Sequence, residues 1–350
     1  MRRARAATSC DAGRFERFVH VEDPSIWEAE HDFATIRTEV RFEEAKTAIN
    51  YVRSPDLPFD RSINPYRGCE HGCIYCFARP SHAYLDLSPG LDFETQLIAR
   101  PNMPDVLARE LRAKCYKPAP LAIGTNTDPY QPIEGDHGIM RACLEVLEAF
   151  NHPVAIVTKG ILIERDIDIL ARMAKRGLAR VGLSVTTLDP NLSRKMEPRV
   201  PVPSRRLAAI RRLSDAGIDV RIMMSPVVPG LTDHEMEAVL EAGHRAGAKA
   251  ASWIMLRLPR EVAPLWQDWL AEHYPDRAQR ILSKLRDMHG GELYSAEWHH
   301  RMRGEGVYAD LIAQRFDRAT RRLGLDQPLQ ALRQDLFTLP PRVGEQLSLW

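Results

Sequence analysis

The chain has 350 residues, 48 of them Lys or Arg and 47 Asp or Glu, which gives a formal net charge of +1. Hydrophobic residues make up 44% and charged residues 27%, as in ordinary soluble globular proteins. The near-zero net charge excludes binding to nucleic acid through overall charge, so any such binding has to rest on local patches.

The N-terminal segment, residues 1–60, is predicted to be an irregular extension that is disordered over about its first dozen residues. Its basic start lacks the apolar stretch of a secretory signal, and no apolar run in the chain approaches the roughly 20 residues needed to span a bilayer. Six cysteines, three of them clustered, indicate a reducing compartment rather than a disulfide framework. We therefore expect a cytoplasmic protein without a membrane partner.

From residue 61 onward, strand and helix patterns alternate. Strands are predicted at 61–67, 119–125, 154–158, 180–186, 219–226 and 250–256, and helices at 101–114, 139–150, 167–176, 204–216 and 233–246. This alternation implies parallel pairing and right-handed crossovers, and six units are too few to close an eight-stranded barrel. The predicted fold class is α/β, with an open (β/α)6 partial TIM barrel over residues 61–260.

The pattern changes after residue 260. Helices predicted at 265–274, 277–288 and 307–322 form a small α-helical extension over residues 261–323. Residues 324–350 contain three prolines and are predicted to be an extended tail.

Three cysteines, Cys69, Cys73 and Cys76, lie at C-x3-C-x2-C spacing in the loop after the first predicted strand. Thiolates bind soft metals and iron–sulfur clusters, and three of them leave one iron of a cluster open, whereas a closed zinc site needs four ligands. Two alternatives stay open. The cysteines could be half of a zinc knuckle with His71 or His82 as fourth ligand, or they could be buried free thiols.

Polar or turn-forming residues follow four of the predicted strands, at 124–130, 158–160, 183–187 and 225–233. The carboxyl ends of parallel strands meet at one edge of a sheet, which is where such folds bind ligands. Several polar strand ends beside a three-thiolate loop predict a cofactor site at this edge.

The cysteine spacing, with Tyr75 before the last cysteine, resembles the signature of the radical S-adenosylmethionine (SAM) superfamily. Over roughly residues 60–260 the chain resembles more closely the branch that contains spore photoproduct lyase, through residues 124–134, Thr158-Lys159, Arg165-Asp166 and 196–199. The resemblance implies that Cys69, Cys73 and Cys76 hold a [4Fe-4S] cluster whose fourth iron binds SAM. It also implies reductive cleavage of SAM to a 5′-deoxyadenosyl radical that abstracts hydrogen from a substrate.

The same resemblance implies a set of cofactor-binding residues. Tyr75 would lie by the adenine, Lys159 and Ser184 would contact the amino acid and ribose of SAM, and Val228 would be an apolar adenine contact. The predicted set is completed by Thr125, Asn126, Glu197 and Arg199. The fifth-strand motif normally begins with glycine and ends with glutamate, and Pro226 and Asp233 stand in those places here.

Two residues depart from the lyase pattern. Thr125 stands where the lyase has a hydrogen-donating cysteine, and Phe77 replaces the tyrosine that follows the third cluster cysteine. A catalytic hydrogen donor is therefore unknown, with Cys115 as a candidate if its segment folds back. Cys143 lies on an apolar helix face and is predicted to be core.

The leading substrate class is nucleic acid, with a lesion or base as the target of a repair lyase-like activity. Modification of a peptide or small metabolite is the alternative enzyme function, and a zinc-stabilised binding module is the non-enzyme alternative. The basic stretches 194–212 and 298–303 can meet phosphates or can be solvated faces. An electron donor of the flavodoxin or ferredoxin type is also expected.

The chain ends in Gln346-Leu347-Ser348-Leu349-Trp350. This peptide resembles the one with which bacterial DNA-maintenance proteins dock on the replication sliding clamp. It would place Leu347, Leu349 and Trp350 in an apolar groove, although the tail could instead pack on its own domain.

Overall fold

The structure is a computed structural model, and it describes residues 5–7, 9, 14–15 and 37–341. The strands are β1 (Glu39–Phe42), β2 (Asn50–Tyr51), β3 (Arg61–Ile63), β4 (Tyr66–Arg67), β5 (Gln96–Ala99), β6 (Leu121–Ile123), β7 (Val154–Thr158), β8 (Ala179–Ser184), β9 (Asp219–Val227) and β10 (Ala250–Met255). The α-helices are α1 (Asp92–Thr95), α2 (Met103–Leu111), α3 (Glu134–His137), α4 (Ile139–Ala149), α5 (Ile167–Lys175), α6 (Pro190–Met196), α7 (Pro203–Asp215), α8 (Met236–Arg245), α9 (Val262–His273), α10 (Pro275–Asp287) and α11 (Val307–Leu323). Short 3-10 helices cover Arg79–Leu85, Ile161–Asp166 and Asp233–Glu235.

The main sheet contains six parallel strands that lie side by side in chain order, β3, β6, β7, β8, β9 and β10. The short strand β2 adds an antiparallel edge to β3. Strands β3 and β10 do not pair with each other in the part of the chain that the structure describes. The predicted open (β/α)6 sheet is therefore confirmed.

Strand residues alternate between the two faces of this sheet, as the period of two requires. In β8, Val181 and Leu183 are fully buried on the face that carries the helices. Ser184 is on the opposite, concave face, in register with Met223 of β9. The concave face thus presents the ends of β7, β8 and β9 to whatever binds inside the half-barrel.

A small second sheet supports the start of the half-barrel. It pairs β5 in parallel with β1 and antiparallel with β4. The single strand predicted over 61–67 is wrong, because Asn64 and Pro65 divide it into β3 and β4, which belong to different sheets. Proline has no N–H to donate to a strand ladder, so the chain leaves the main sheet there. Residues 37–60, expected to be irregular, contain β1 and β2.

The helices predicted after residue 260 are present as α9, α10 and α11. The described part of the tail packs on the barrel: the Phe337 ring lies 6.2 Å from that of Phe150, and Arg333 N donates to the Gly177 carbonyl at 2.9 Å. Residues 342–350, including the predicted clamp peptide, lie outside the described residues. No described helix is both long enough and apolar enough to cross a membrane.

Candidate active site

The cysteine loop follows β4, at the edge where the parallel strands end. Cys69 and Cys73 are buried and Cys76 is half-buried. The Cys69 amide donates to the Phe93 carbonyl at 2.9 Å, and the Cys76 amide donates to the Cys73 carbonyl at 3.2 Å. The loop is thus a compact turn whose thiols are largely shielded from water.

One buried arginine organises the loop. Arg79 donates from Nε to the Cys73 carbonyl at 3.0 Å and from Nη2 to the Gly72 carbonyl at 3.2 Å. The same guanidinium binds Glu94 Oε1 at 2.5 Å, and neither side chain has exposed surface. Buried charges are tolerated only when they are paired and hydrogen-bonded, so this pair fixes the loop between Cys73 and Arg79.

Glycine is required next to this pair. Gly72 has φ +65°, and a Cβ on it would lie 2.6 Å from Glu94 Oε2. The Glu94 carboxylate cannot move aside easily, because it also accepts from the amides of Ala6 and Ala7 at 3.2 and 3.1 Å. Gly72 therefore allows the loop to pass directly over the buried carboxylate.

The segment after β6 braces the loop from the other side. Thr127 Oγ1 donates to the Tyr66 carbonyl at 2.9 Å, and Gln131 Nε2 donates to the Gly68 carbonyl at 3.2 Å. Gln131 Oε1 accepts from the Glu70 amide at 2.8 Å. The polar strand end thus positions the cysteine loop through its backbone.

Asp128 connects three segments at this edge. Its carboxylate lies 3.3 Å from His71 Nδ1 and accepts from Thr158 Oγ1 at 2.6 Å and from the Lys159 amide at 2.7 Å. Burial raises the pKa of Asp128, but the contact with His71 and these hydrogen bonds outweigh it and hold the pKa at about 2. Asp128 is therefore ionised at neutral pH and ties the cysteine loop to the end of β7.

Glu197 is the centre of a second buried network. It accepts from the Tyr75 hydroxyl and, at 2.7 Å, from Thr186 Oγ1. Arg206 Nη2 lies 2.8 Å from its Oε2, with both side chains fully buried. Burial raises the pKa of Glu197, but the charges of Arg206 and Lys159 and the two hydroxyl donors lower it overall. Glu197 thus holds Tyr75 in place rather than facing open space.

Two of the predicted cofactor residues donate to the Ser225 carbonyl, and a third lies beside one of them. Lys159 Nζ donates to it at 3.1 Å, and Ser184 Oγ donates to it at 3.4 Å. Lys159 Nζ also lies 5.8 Å from the centre of the Tyr75 ring. The structure thus brings Tyr75, Lys159 and Ser184 together on the concave face.

The other predicted residues lie elsewhere around the site. Thr125 and Asn126 are half-buried in the loop after β6. Arg199 Nη2 forms an ion pair with Glu70 at 2.7 Å, so it supports the cysteine loop. Val228 is fully buried in the loop after β9, where its amide donates to Thr232 Oγ1 at 2.9 Å.

Cys115 is placed away from this site. It is exposed, and it lies between α2 and the start of β6, at the opposite edge of the sheet from the cysteine loop. Its segment does not fold back, so the structure does not support Cys115 as the hydrogen donor. Cys143 is fully buried in the hydrophobic core, as its position on an apolar helix face predicts.

The two histidines proposed as alternative zinc ligands have other contacts. His71 faces Asp128, and His82 Nε2 is 2.9 Å from the Gln96 carbonyl. Among the described residues, no three His, Cys, Asp or Glu side chains are arranged to hold one metal ion. An iron–sulfur cluster instead binds each of its thiolates to a different iron, so its ligands do not meet at one point.

The electrostatics of the thiols fit metal-dependent ionisation. Burial raises the pKa of the Cys69, Cys73 and Cys76 thiols, while the charge of Lys159 lowers the pKa of the last two. A metal can bind these thiols only by displacing their protons. Burial therefore keeps the thiols protonated until a metal replaces the protons.

Sequence comparison identifies the family. Residues 63–243 match the model of the Radical SAM superfamily. The chain belongs to the radical SAM superfamily. Radical SAM proteins use a [4Fe-4S] cluster together with SAM, so the predicted cofactors are those of the family.

Two proteins with similar sequences are described as uncharacterized proteins. One from Mycobacterium tuberculosis is 38% identical over 271 residues, which cover 77% of this chain and 78% of that protein. Another, from Methanocaldococcus jannaschii, is 26% identical over 242 residues and covers 69% of this chain and 86% of that protein.

Solved structures with a similar fold include two of spore photoproduct lyase. A mutant of spore photoproduct lyase has a TM-score of 0.59 at 16% identity and covers 82% of this chain and 80% of its own. Spore photoproduct lyase complexed with dinucleoside spore photoproduct has a TM-score of 0.58 at 15% identity. The match covers 81% of this chain and 79% of the lyase chain. At these identities the likeness shows a shared fold.

Several supporting residues could not be found from the sequence. The sequence gives no sign of the structural roles of Arg79, Glu94 and Gln131. A single charged or amide residue in a sequence looks the same whether it is buried or on the surface. Asp128 lay within the lyase-like motif after β6 but had no predicted role. Arg206 was counted in a basic stretch, although it is buried against Glu197.

Proposed function

We propose that the chain is a radical SAM enzyme that acts on nucleic acid, with Cys69, Cys73 and Cys76 as the cluster ligands. The donor set supports this assignment. It offers three thiols in one turn, two of them buried and that of Cys76 half-buried, while the neighbouring His71 and His82 contact Asp128 and the Gln96 carbonyl. Three protein ligands leave one coordination position for SAM.

The observation that carries the proposal is the meeting of Tyr75, Lys159 and Ser184 beside this loop. Lys159 is a partly exposed cation suited to hold the SAM carboxylate as a point charge. Ser184 supplies a hydroxyl and the Ser225 carbonyl supplies an acceptor on the same concave face. Glu197 and Thr186 fix Tyr75, which offers an apolar face to the adenine.

Cys69, Cys73 and Cys76 would hold the cluster, which when reduced would supply the one electron needed to cleave SAM to methionine and a 5′-deoxyadenosyl radical able to take hydrogen from a substrate C–H bond. The chain's own residues position SAM through Lys159 and Ser184. The half-barrel shields the reacting groups from water. The compact turn set by Arg79 holds the three thiols in position for the cluster.

Nucleic acid is the proposed substrate class because of the lyase-like sequence motifs and the fold shared with an enzyme complexed with a dinucleoside lesion. Thr125 and Phe77 replace the residues with which that lyase would handle hydrogen, so we propose a different lesion or base as the target. The alternative is a radical SAM modification of a peptide or small metabolite.

The test is anaerobic reconstitution with iron and sulfide, followed by measurement of iron content and of 5′-deoxyadenosine formed from SAM. We expect cluster absorption and SAM cleavage in the wild type and the loss of both in each of Cys69→Ala, Cys73→Ala and Cys76→Ala. The matched control is Cys115→Ser, which removes an exposed thiol from the opposite edge and should retain both. A colourless zinc protein, or full cleavage in a loop variant, would contradict the proposal.

Two partners are proposed on sequence grounds. An electron donor of the flavodoxin or ferredoxin type would reduce the cluster in the cytoplasm. Residues Gln346, Leu347, Leu349 and Trp350 would dock on a DNA sliding clamp. Deleting residues 346–350 should abolish clamp pull-down while leaving iron content unchanged, and retained pull-down would refute the tail assignment.

A further inference from the structure

The basic stretches that stand out in the sequence are partly neutralised within the fold. In the stretch 194–212, three arginines are ion-paired, namely Arg199 with Glu70, Arg206 with Glu197 and Arg212 with Glu164. In the stretch 298–303, Arg301 is ion-paired with Asp56 at 2.5 Å. These stretches therefore offer fewer free charges than their sequences suggest.

Unpaired cations also lie on α10, outside both basic stretches. Arg277 and Arg280 are exposed, and neither guanidinium has a hydrogen bond or ion pair with any residue that the structure describes. Lys284 lies one turn further on, with Nζ 3.3 Å from the centre of the Tyr308 ring. The spacing of three and four residues puts all three cations on one face of the helix.

This face lines a cavity of about 400 Å³ between α10, the start of α11 and the loop after β9. His234 adds a further basic side chain to the wall. Asp233 is the one acid among the described lining residues, and its carboxylate already accepts from the Gly230 amide at 2.8 Å and from the Tyr308 hydroxyl. The cavity therefore has an excess of positive charge.

The cavity lies at the end of β9 that also carries the candidate active site. Gly230 is in the loop that directly follows β9, Asp233 begins the 3-10 helix after that loop, and β9 contains Ser225, which contacts Lys159 and Ser184. A ligand in the cavity and a substrate in the half-barrel would thus lie along the same edge of the sheet.

We infer that this cavity binds a backbone phosphate of the nucleic-acid strand whose reacting nucleotide enters the half-barrel, an inference that rests on the proposed function. Arginine presents a planar fork of donors that matches phosphate oxygens, and two arginines side by side suit a chain of phosphates. A phosphate held here fixes the position of the strand without reading its sequence.

The test measures DNA binding by the anaerobically reconstituted protein, using fluorescence anisotropy of a labelled DNA hairpin with a single-stranded tail. The variant Arg277→Gln/Arg280→Gln should bind about tenfold or more weakly at low salt. Its plot of log affinity against log salt concentration should be shallower by about 0.7–0.9 for each phosphate that the variant no longer neutralises. Competition by inorganic phosphate tests whether the site prefers a free anion.

The matched control is Arg318→Gln/Arg321→Gln, which removes two exposed arginines at the same spacing near the other end of α11. It should keep the wild-type affinity and salt slope, and circular dichroism should show that both variants are folded. Equal affinity and slope in the two double variants would overturn the inference, as would a cavity that takes inorganic phosphate but not the hairpin. Because the readout is binding, loss of hydrogen transfer to nucleic acid would count against the proposed function alone.

Discussion

The Arg79 guanidinium and the Glu94 carboxylate lie 2.5 Å apart, and neither side chain has exposed surface. Through this pair the cysteine loop is attached to α1 and to residues 5–7 near the N-terminus. The geometry of the cysteine loop therefore depends on an ion pair that does not itself bind a metal.

Replacing Arg79 with alanine should destabilise the protein by about 3–5 kcal/mol, because it leaves the buried Glu94 carboxylate without its ion-pair partner. Denaturant unfolding of the metal-free protein measures this change, and iron content after reconstitution should fall with it. The control Arg333→Ala breaks an exposed pair with Asp335 and should leave unfolding unchanged. Equal effects of the two substitutions would show that the buried pair has no special role.

A second prediction concerns Gly72→Ala. Alanine costs about 1–2 kcal/mol wherever φ is positive, and at Gly72 its Cβ also meets the Glu94 carboxylate at 2.6 Å. Gly138→Ala is the matched control, since φ is +63° there and nothing lies within 4 Å of the added Cβ. The free energy of unfolding should fall further in Gly72→Ala, and cluster incorporation should suffer only in that variant. Similar losses in both would mean that the loop can shift away from Glu94.

Lys159→Met should weaken SAM binding by about one to two orders of magnitude while leaving iron content unchanged, because it removes the cation beside Ser225 and Ser184. Equilibrium binding of SAM to the reconstituted protein measures the effect. Lys175→Met removes an exposed lysine at the end of α5 and should bind SAM like the wild type. Unchanged affinity in Lys159→Met would remove this residue from the SAM site.

His152 predicts a pH dependence of stability away from the active site. Burial lowers its pKa to about 4. Its Nδ1 is 3.0 Å from the Pro153 carbonyl, which can only accept, so Nε2 accepts from the Tyr116 hydroxyl at 2.6 Å. The unfolded chain takes up a proton near pH 6.5 and the folded chain only near pH 4. Stability is therefore lost as pH falls between these values.

From pH 7 to pH 5 the contribution of His152 to the free energy of unfolding should fall by about 2 kcal/mol. The variant His152→Gln should lose this part of the pH dependence, whereas the exposed control His244→Gln should keep it. An identical pH profile in His152→Gln and the wild type would show that the imidazole does not titrate as its burial implies.

The features that the sequence predicts well are local. The alternation of strands and helices, the three-cysteine turn and the polar strand ends depend on short patterns, and the structure shows the predicted alternation and gathers Tyr75, Lys159 and Ser184 on one face. Pro65, which divides the first predicted strand, is also a local feature of the sequence. The division was not predicted, because a strand as short as β4 has too few residues to show a periodic pattern.

The features that the sequence does not reveal are pairings between distant charged residues. Arg79 with Glu94 and Arg206 with Glu197 are buried pairs, yet nothing local separates them from surface arginines such as Arg277. For the same reason the basic stretch 194–212 suggested a phosphate surface, while the unpaired cations of α10 did not stand out. Which charges remain free depends on tertiary packing.

The most direct test of the central claim is deuterium transfer during turnover. The reconstituted enzyme would be given SAM, a reductant and nucleic acid uniformly deuterated at carbon, with deuterated peptide and metabolite fractions of cells in parallel. The account predicts that 5′-deoxyadenosine gains deuterium from the nucleic acid and that the Cys73→Ala variant forms none. Deuterium that comes from the peptide or metabolite fraction, or no cleavage of SAM by iron-loaded protein, would contradict it.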